Sequence, residues 1–253
     1  MTPARSPGLS LAALVTLGLL AAAHPAHAAT NIVVNGSFES PVVLGVNAYP
    51  GGTNYAYNPK DANWTFDGDS GLVYPPSAFS NNAVAPSGYD GFQYAFLQTH
   101  GKDANQVFRG DGSIYQKLTL TAGTQYDYSF RAAGRPDYNG NATDTVSLAA
   151  LSTGTATFDT GGAFRTFTTV TNQGFNPVAG SFTVDTTGNY NLTFNNITSI
   201  DPNTVLDETS FIDSVNVSAA PEPSQLAGLA FTGFGALGLI LKTRKRKASE
   251  VTA

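Results

Sequence analysis

Tyr126-Asp127-Tyr128-Ser129-Phe130-Arg131-Ala132 alternates without a break: aromatic or apolar side chains at the even positions, polar or charged ones at the odd. Successive side chains of a β-strand point to opposite faces, so this run predicts Tyr126, Tyr128, Phe130 and Ala132 against a core and Asp127, Ser129 and Arg131 in water. A helical period of 3.6 would scatter both sets around the axis. The same rule puts Tyr190, Leu192 and Phe194 inside, and Phe211, Val215 and Val217 inside across a shift at Asp213. Short runs of this kind predict strands at 32–34, 93–98, 113–120, 126–132, 145–151, 164–170, 180–184, 190–194 and 210–217. Turn residues such as Asp111-Gly112, Ala122-Gly123 and Thr187-Gly188-Asn189 fall where the chain must reverse. Nine short strands with no useful helical period read as an all-β sandwich. The stretches 41–76 and 136–143 are rich in Asn, Gly, Pro and aromatics and read as loops.

Composition narrows the classes of function. Charged residues make up 12% of the 253-residue chain and aromatics 11%, a mixture that suits an exported β protein with polar turns. Residues 29–219 hold seven Lys and Arg against sixteen Asp and Glu, a surplus of nine negative charges. Phosphate backbones would be repelled, so nucleic acid is not an expected partner. There are no cysteines, which excludes disulfides, thiol catalysis and Cys-ligated zinc.

Both ends read as processing signals. Arg5, an apolar run over 9–23 and the small residues Ala26-His27-Ala28 predict a signal peptide over residues 1–28, cut by signal peptidase; a short N-terminal anchor is the weaker reading. At the far end, sixteen uncharged residues over 226–241 would make about 24 Å of helix, close to a bilayer's hydrocarbon thickness. Lys242, Arg244, Lys245, Arg246 and Lys247 would hold its C-terminal side in the cytoplasm and leave the domain outside. Pro221-Glu222-Pro223 precedes this span as an extended, exposed tripeptide. The three parts together closely resemble the PEP-CTERM sorting signal of Gram-negative bacteria. That resemblance implies recognition by an exosortase-type membrane protease at Pro221, Glu222 and Pro223, removal of the tail, and transfer from a transient inner-membrane anchor to the cell surface or extracellular matrix. A permanent C-terminal anchor is the alternative. The organisation expected is a signal peptide (1–28), a sandwich domain (29–219), a sorting signal (220–247) and a disordered tail (248–253).

The domain has a resemblance of its own. Asn35-Gly36-Ser37-Phe38-Glu39, Asn63-Trp64-Thr65-Phe66, Gln93-Tyr94-Ala95-Phe96-Leu97-Gln98, Ile114-Tyr115-Gln116, the stretch from Ser129 to Pro136, and Asp207-Glu208-Thr209-Ser210-Phe211-Ile212-Asp213 occur in order. Together they resemble secreted bacterial domains of galactose-binding-like, jelly-roll type, related in pattern to carbohydrate-binding modules. Such a resemblance bears on fold more than on ligand. It also implies a structural calcium ion held near Glu39 and Asp213, although Ser214 stands where related modules often carry a second aspartate. The competing account makes Glu39 a turn carboxylate bonded to backbone amides and Asp213 a polar residue at a β-bulge.

Three classes of function stay open. A glycan hydrolase would need two carboxylates, and many loop aspartates are available, but no spacing singles out a pair. Asp67-Gly68-Asp69-Ser70-Gly71 lacks the later glutamate of a calcium loop and reads as a turn. His100, the one histidine left after signal cleavage, reads as a solvated loop residue with no nucleophile elbow beside it. Sugar binding fits the inventory better, because aromatic faces stack on pyranose C–H surfaces while amide and charged groups bond the hydroxyls. The expected carbohydrate-binding residues are Trp64, Tyr74, Tyr89, Arg135, Asp137 and Tyr138, although Trp64, opening an apolar Trp-Thr-Phe run, reads more readily as core than as platform. The expectation is an exported, non-catalytic protein that binds or organises extracellular polysaccharide, a passive structural matrix component being the alternative.

Overall fold

Among the described residues twelve strands carry the fold: β1 (Tyr55–Tyr57), β2 (Thr65–Asp67), β3 (Ser70–Val73), β4 (Tyr94–His100), β5 (Ser113–Leu120), β6 (Gln125–Gly134), β7 (Ala142–Ala150), β8 (Ala156–Phe158), β9 (Phe164–Thr169), β10 (Asn176–Val184), β11 (Gly188–Asn196) and β12 (Asp207–Ala219). The computed structural model describes residues 30–46, 54–60, 62–77, 86–100, 111–136, 141–198 and 207–221. The expected signal peptide, the Glu222-Pro223 part of the sorting motif, the apolar span and the tail lie outside them. No helix among the described residues is long and apolar enough to cross a membrane.

The strands form two antiparallel sheets, ordered β1-β3-β4-β12-β6-β10-β8 and β2-β5-β11-β7-β9. From β5 onward every strand lies in the sheet opposite its predecessor, so the chain laces the layers of a β-sandwich together. The alternation in β6 is borne out: Tyr126, Tyr128, Phe130 and Ala132 are buried while Gln125, Asp127, Ser129 and Arg131 are exposed. Phe130 meets Phe167 and Phe194 of the facing sheet edge-on, each at 4.9 Å between ring centroids. Burying such a ring contributes about 1.5–3 kcal/mol, and a well-set aromatic pair about 0.5–1.5 kcal/mol more.

Several expectations need correction. Residues 32–34 are not a ladder strand: Ile32 N–H bonds the Val217 carbonyl, but the Gln116 side chain takes both the N–H and the carbonyl of Val34 at 2.8 Å. Side-chain bonds thus replace the second half of the ladder. The stretch 41–76, read as loop, contains β1, β2 and β3, each too short to show an alternation. Between β2 and β3 the chain does turn, with the Ser70 hydroxyl bonding the Asp67 carbonyl at 2.9 Å and Gly68 at φ +60°. His100 ends a strand, and Thr143 lies within one. The strand 156–158 was also missed.

Phe211 is buried, but not where Val215 and Val217 are. A bulge between Asp213 and Asn216, with Ser214 at φ +54°, inverts the parity of β12. Ile212, Val215 and Val217 therefore face the inter-sheet core, whereas Phe211 joins a second cluster with Tyr55, Val73, Tyr94, Phe96, Ala133 and Phe175. That cluster occupies the other face of the seven-stranded sheet, since Ala95 and Leu97 of the same strand belong to the core. Gly71 makes room for it: a Cβ there would overlap the Ala56 carbonyl oxygen and stand 2.8 Å from the Phe96 ring.

Polar contacts cross the sandwich. Ser210 of β12 donates its hydroxyl to Asp144 Oδ1 of β7 at 2.7 Å, and both residues are 0% exposed. Asn196 of β11 reaches the Leu97 and Glu208 carbonyls of the opposite sheet at 3.2 and 3.1 Å.

Candidate functional site

Residues 86–93 lead into β4 and are fastened by side chains from three distant parts of the chain. Glu39 Oε1 accepts the N–H groups of Phe92 and Gln93 at 2.9 and 3.1 Å. Asp213 Oδ2 accepts the Asp90 N–H at 2.6 Å, and Arg131 Nη1 donates to the Gly88 carbonyl at 2.9 Å. Buried Gln93 turns back, accepting the Val43 N–H at 3.1 Å and donating to the Pro41 carbonyl at 2.7 Å. Gly91 sits at φ +72°, and a Cβ there would collide with the Glu39 carboxylate, so glycine lets the acid come under the loop.

This fastening presents aromatic surface. Phe92 is 66% exposed and lies parallel to Tyr74, at 4° between planes and 6.3 Å between centroids. Val42 and Leu44, 63% and 57% exposed, flank the Val43 that is tied to Gln93. Tyr89 turns the other way and packs on Tyr94 and Phe175 at 5.3 and 6.1 Å, which roots the loop in the second cluster.

Of the expected sugar-binding residues, Tyr74 and Tyr89 both meet this loop. Trp64 does not serve as a platform: it is 4% exposed, packs on Phe38 at 5.2 Å, and donates its indole N–H to the Asn35 carbonyl at 3.1 Å. Its apolar neighbours and that internal acceptor make it core. Arg135 lies four residues beyond Arg131, about 13 Å along the strand direction, with its N–H on the Thr209 carbonyl at 3.2 Å. Asp137 and Tyr138 lie outside the described residues. Phe92 and Arg131 were missed. Phe92 stands in Asp90-Gly91-Phe92-Gln93, where an apolar residue between a turn glycine and a strand is the available signal.

Electrostatics separate the carboxyls. Burial pushes the Asp213 carboxyl up to about 7, against the opposing pull of the Asp90 and Ser214 amides. Burial pushes Asp144 up to about 8, with the Ser210 hydroxyl pulling the other way. Both are sealed from solvent, so neither can touch a substrate as a general acid. Burial also raises the Tyr94 phenol.

The expected calcium ligands, Glu39 and Asp213, fasten the same loop through neighbouring residues, as the turn-carboxylate and bulge readings require. Asp213 Oδ1 is buried and has no hydrogen-bond partner, a hard oxygen that fits a calcium ion. Glu39 Oε1 is already engaged by two amides. Among the described residues no three Asp, Glu or His side chains come together, so the other ligands would have to be main-chain or water oxygens.

No family model and no curated protein matches the chain. Solved structures to which the chain shows similarity include the CBM22-1 xylan-binding domain of Xyn10C from Paenibacillus barcinonensis, at 10% identity and a TM-score of 0.40 over 64% of this chain and 88% of that one. TmCBM61 in complex with β-1,4-galactotriose is 16% identical with a TM-score of 0.41, covering 76% of this chain and 99% of its own. The N-terminal cellulose-binding domain of β-1,4-glucanase C from Cellulomonas fimi is 9% identical with a TM-score of 0.34, over 67% and 96% of the two chains.

Proposed function

We propose that this chain is an exported, non-catalytic module that binds or organises extracellular polysaccharide, and that Tyr74 and Phe92 form its contact surface. The observation that carries the reading is the exposed Phe92 ring, parallel to the half-buried Tyr74 ring and carried on a loop whose backbone is hydrogen-bonded to Glu39, Arg131 and Asp213. Parallel rings offer a sugar's C–H faces apolar area without the entropy of ordering a mobile loop. Export by the N-terminal signal and processing by an exosortase-type protease at Pro221-Glu222-Pro223 belong to the same proposal. Affinity electrophoresis of the full chain through gels containing extracted matrix polysaccharide tests the binding. Retardation should be lost in Phe92→Ala with the melting temperature unchanged; equal retardation of wild type and Phe92→Ala refutes the surface.

Calcium is part of the proposal on the strength of the unpartnered Asp213 Oδ1. The ion would be held by Asp213, supplying charge neutralisation under the loop and no chemistry on a substrate. Chelator should lower the melting temperature and added calcium restore it; identical melting curves refute the ion.

A further inference from the structure

The charges around the ring pair bear on the chemistry of the ligand. The Glu39 carboxylate accepts the backbone N–H of Phe92 itself, so a negative group is built into the base of the platform. Asp90, two residues earlier and exposed, adds a second carboxylate, and its own N–H is fixed by Asp213. Arg131 is the cation that bonds this loop, and its Nη1 is directed to the Gly88 carbonyl, four residues from Phe92. Val42 and Leu44, which flank the Val43 tied to Gln93, are exposed and carry no charge. The surrounding domain has nine more acidic than basic residues.

Resting on the reading above that Tyr74 and Phe92 contact a glycan, we infer that this surface selects uncharged polysaccharide and rejects chains built of uronic acids. A ligand carboxylate held at about 6 Å from the Glu39 carboxylate would lose roughly threefold in affinity even at water-like screening. Several such groups along a polyuronate multiply the penalty. A neutral sugar ring meets no such term, and its hydroxyls can donate to Asp90.

The test runs the full chain through native gels containing either neutral xylan or polygalacturonate, at low and at moderate salt, with Phe92→Ala and Asp90→Asn alongside. Expected are retardation by xylan that salt leaves unchanged, at least about tenfold weaker retardation by polygalacturonate, and loss of the xylan effect in Phe92→Ala. Asp90→Asn should narrow the difference between the two polymers. Retardation by polygalacturonate equal to or stronger than xylan, and lost in Phe92→Ala, would overturn the selectivity while leaving the contact surface standing. Retardation by neither polymer would overturn the binding reading and the selectivity with it.

Discussion

Replacing Asp144 by asparagine should abolish the pH dependence of one part of the folding free energy. The carboxyl is fully buried between the sheets, with Oδ1 on the Ser210 hydroxyl and Oδ2 without a partner. Its pKa rises from 3.8 to about 8 in the folded chain. Between those values the folded state holds a proton that the unfolded state has released. The stability it contributes is therefore complete below about pH 4 and is lost as pH rises toward 8. At pH 7 the loss spans about three pH units, or about 4 kcal/mol. The asparagine side chain cannot ionise and keeps an acceptor for Ser210, but it sets an amide N–H₂ where no partner waits, at a pH-independent cost of ~1–3 kcal/mol. The variant should accordingly be less stable than wild type by ~1–3 kcal/mol at pH 4 and more stable by a similar amount at pH 7. Urea unfolding at pH 4, 5, 6 and 7 measures this, followed by the fluorescence of Trp64, the single tryptophan and a core residue. A stability difference that stays constant across the four pH values would refute the reasoning, because it would mean that the buried carboxyl titrates as it does in water.

Two further substitutions address the packing. Gly71→Ala drives a methyl into the Ala56 carbonyl and the Phe96 ring, and should cost ~1–3 kcal/mol by overpacking; an unchanged melting temperature would show that β1 and β3 can separate at no cost. Asn196→Ala strips hydrogen bonds from the Leu97 and Glu208 carbonyls and from the Thr198 N–H, and should cost about 2–4 kcal/mol in the same urea assay, against under 1 kcal/mol if water replaces the side chain.

How much of this fold could be read in advance depended on whether a strand was buried on one face or two. β6 was legible because one side met water: its pattern holds from Gln125 to Ala132. It fails at Ala133, where the second cluster covers the outer face as well. β3 is buried at all four positions and so has no alternation to read. The bulge in β12 was legible at Asp213, yet the face taken by Phe211 was not, because a hydrophobic residue before a parity change fits either side of the sheet. Residues 32–34 misled for a related reason: extended, apolar and beside β12, they have the local character of a strand but are closed on one side by Gln116 instead of by another backbone.

The site was legible in residue type and illegible in position. Tyr74 and Tyr89 are half-buried and only Tyr74 stands beside Phe92, while Trp64, from the same composition signal, is buried outright, because a tryptophan with an internal carbonyl for its N–H can sit wholly inside. Phe92 owes its role to residues 39, 93, 131 and 213, which converge only once β12 lies between β4 and β6. No spacing along the chain encodes that convergence. Register does: Asp213 pairs with Arg131 across β12 and β6, and this places a carboxylate and a guanidinium side by side where they can take the Asp90 amide and the Gly88 carbonyl of one loop. The parity change that begins at Asp213 then carries Val215 and Val217 back into the core within four residues. Without it, either the loop would lose its acid or the core would lose two valines, so the bulge is what lets one strand serve both.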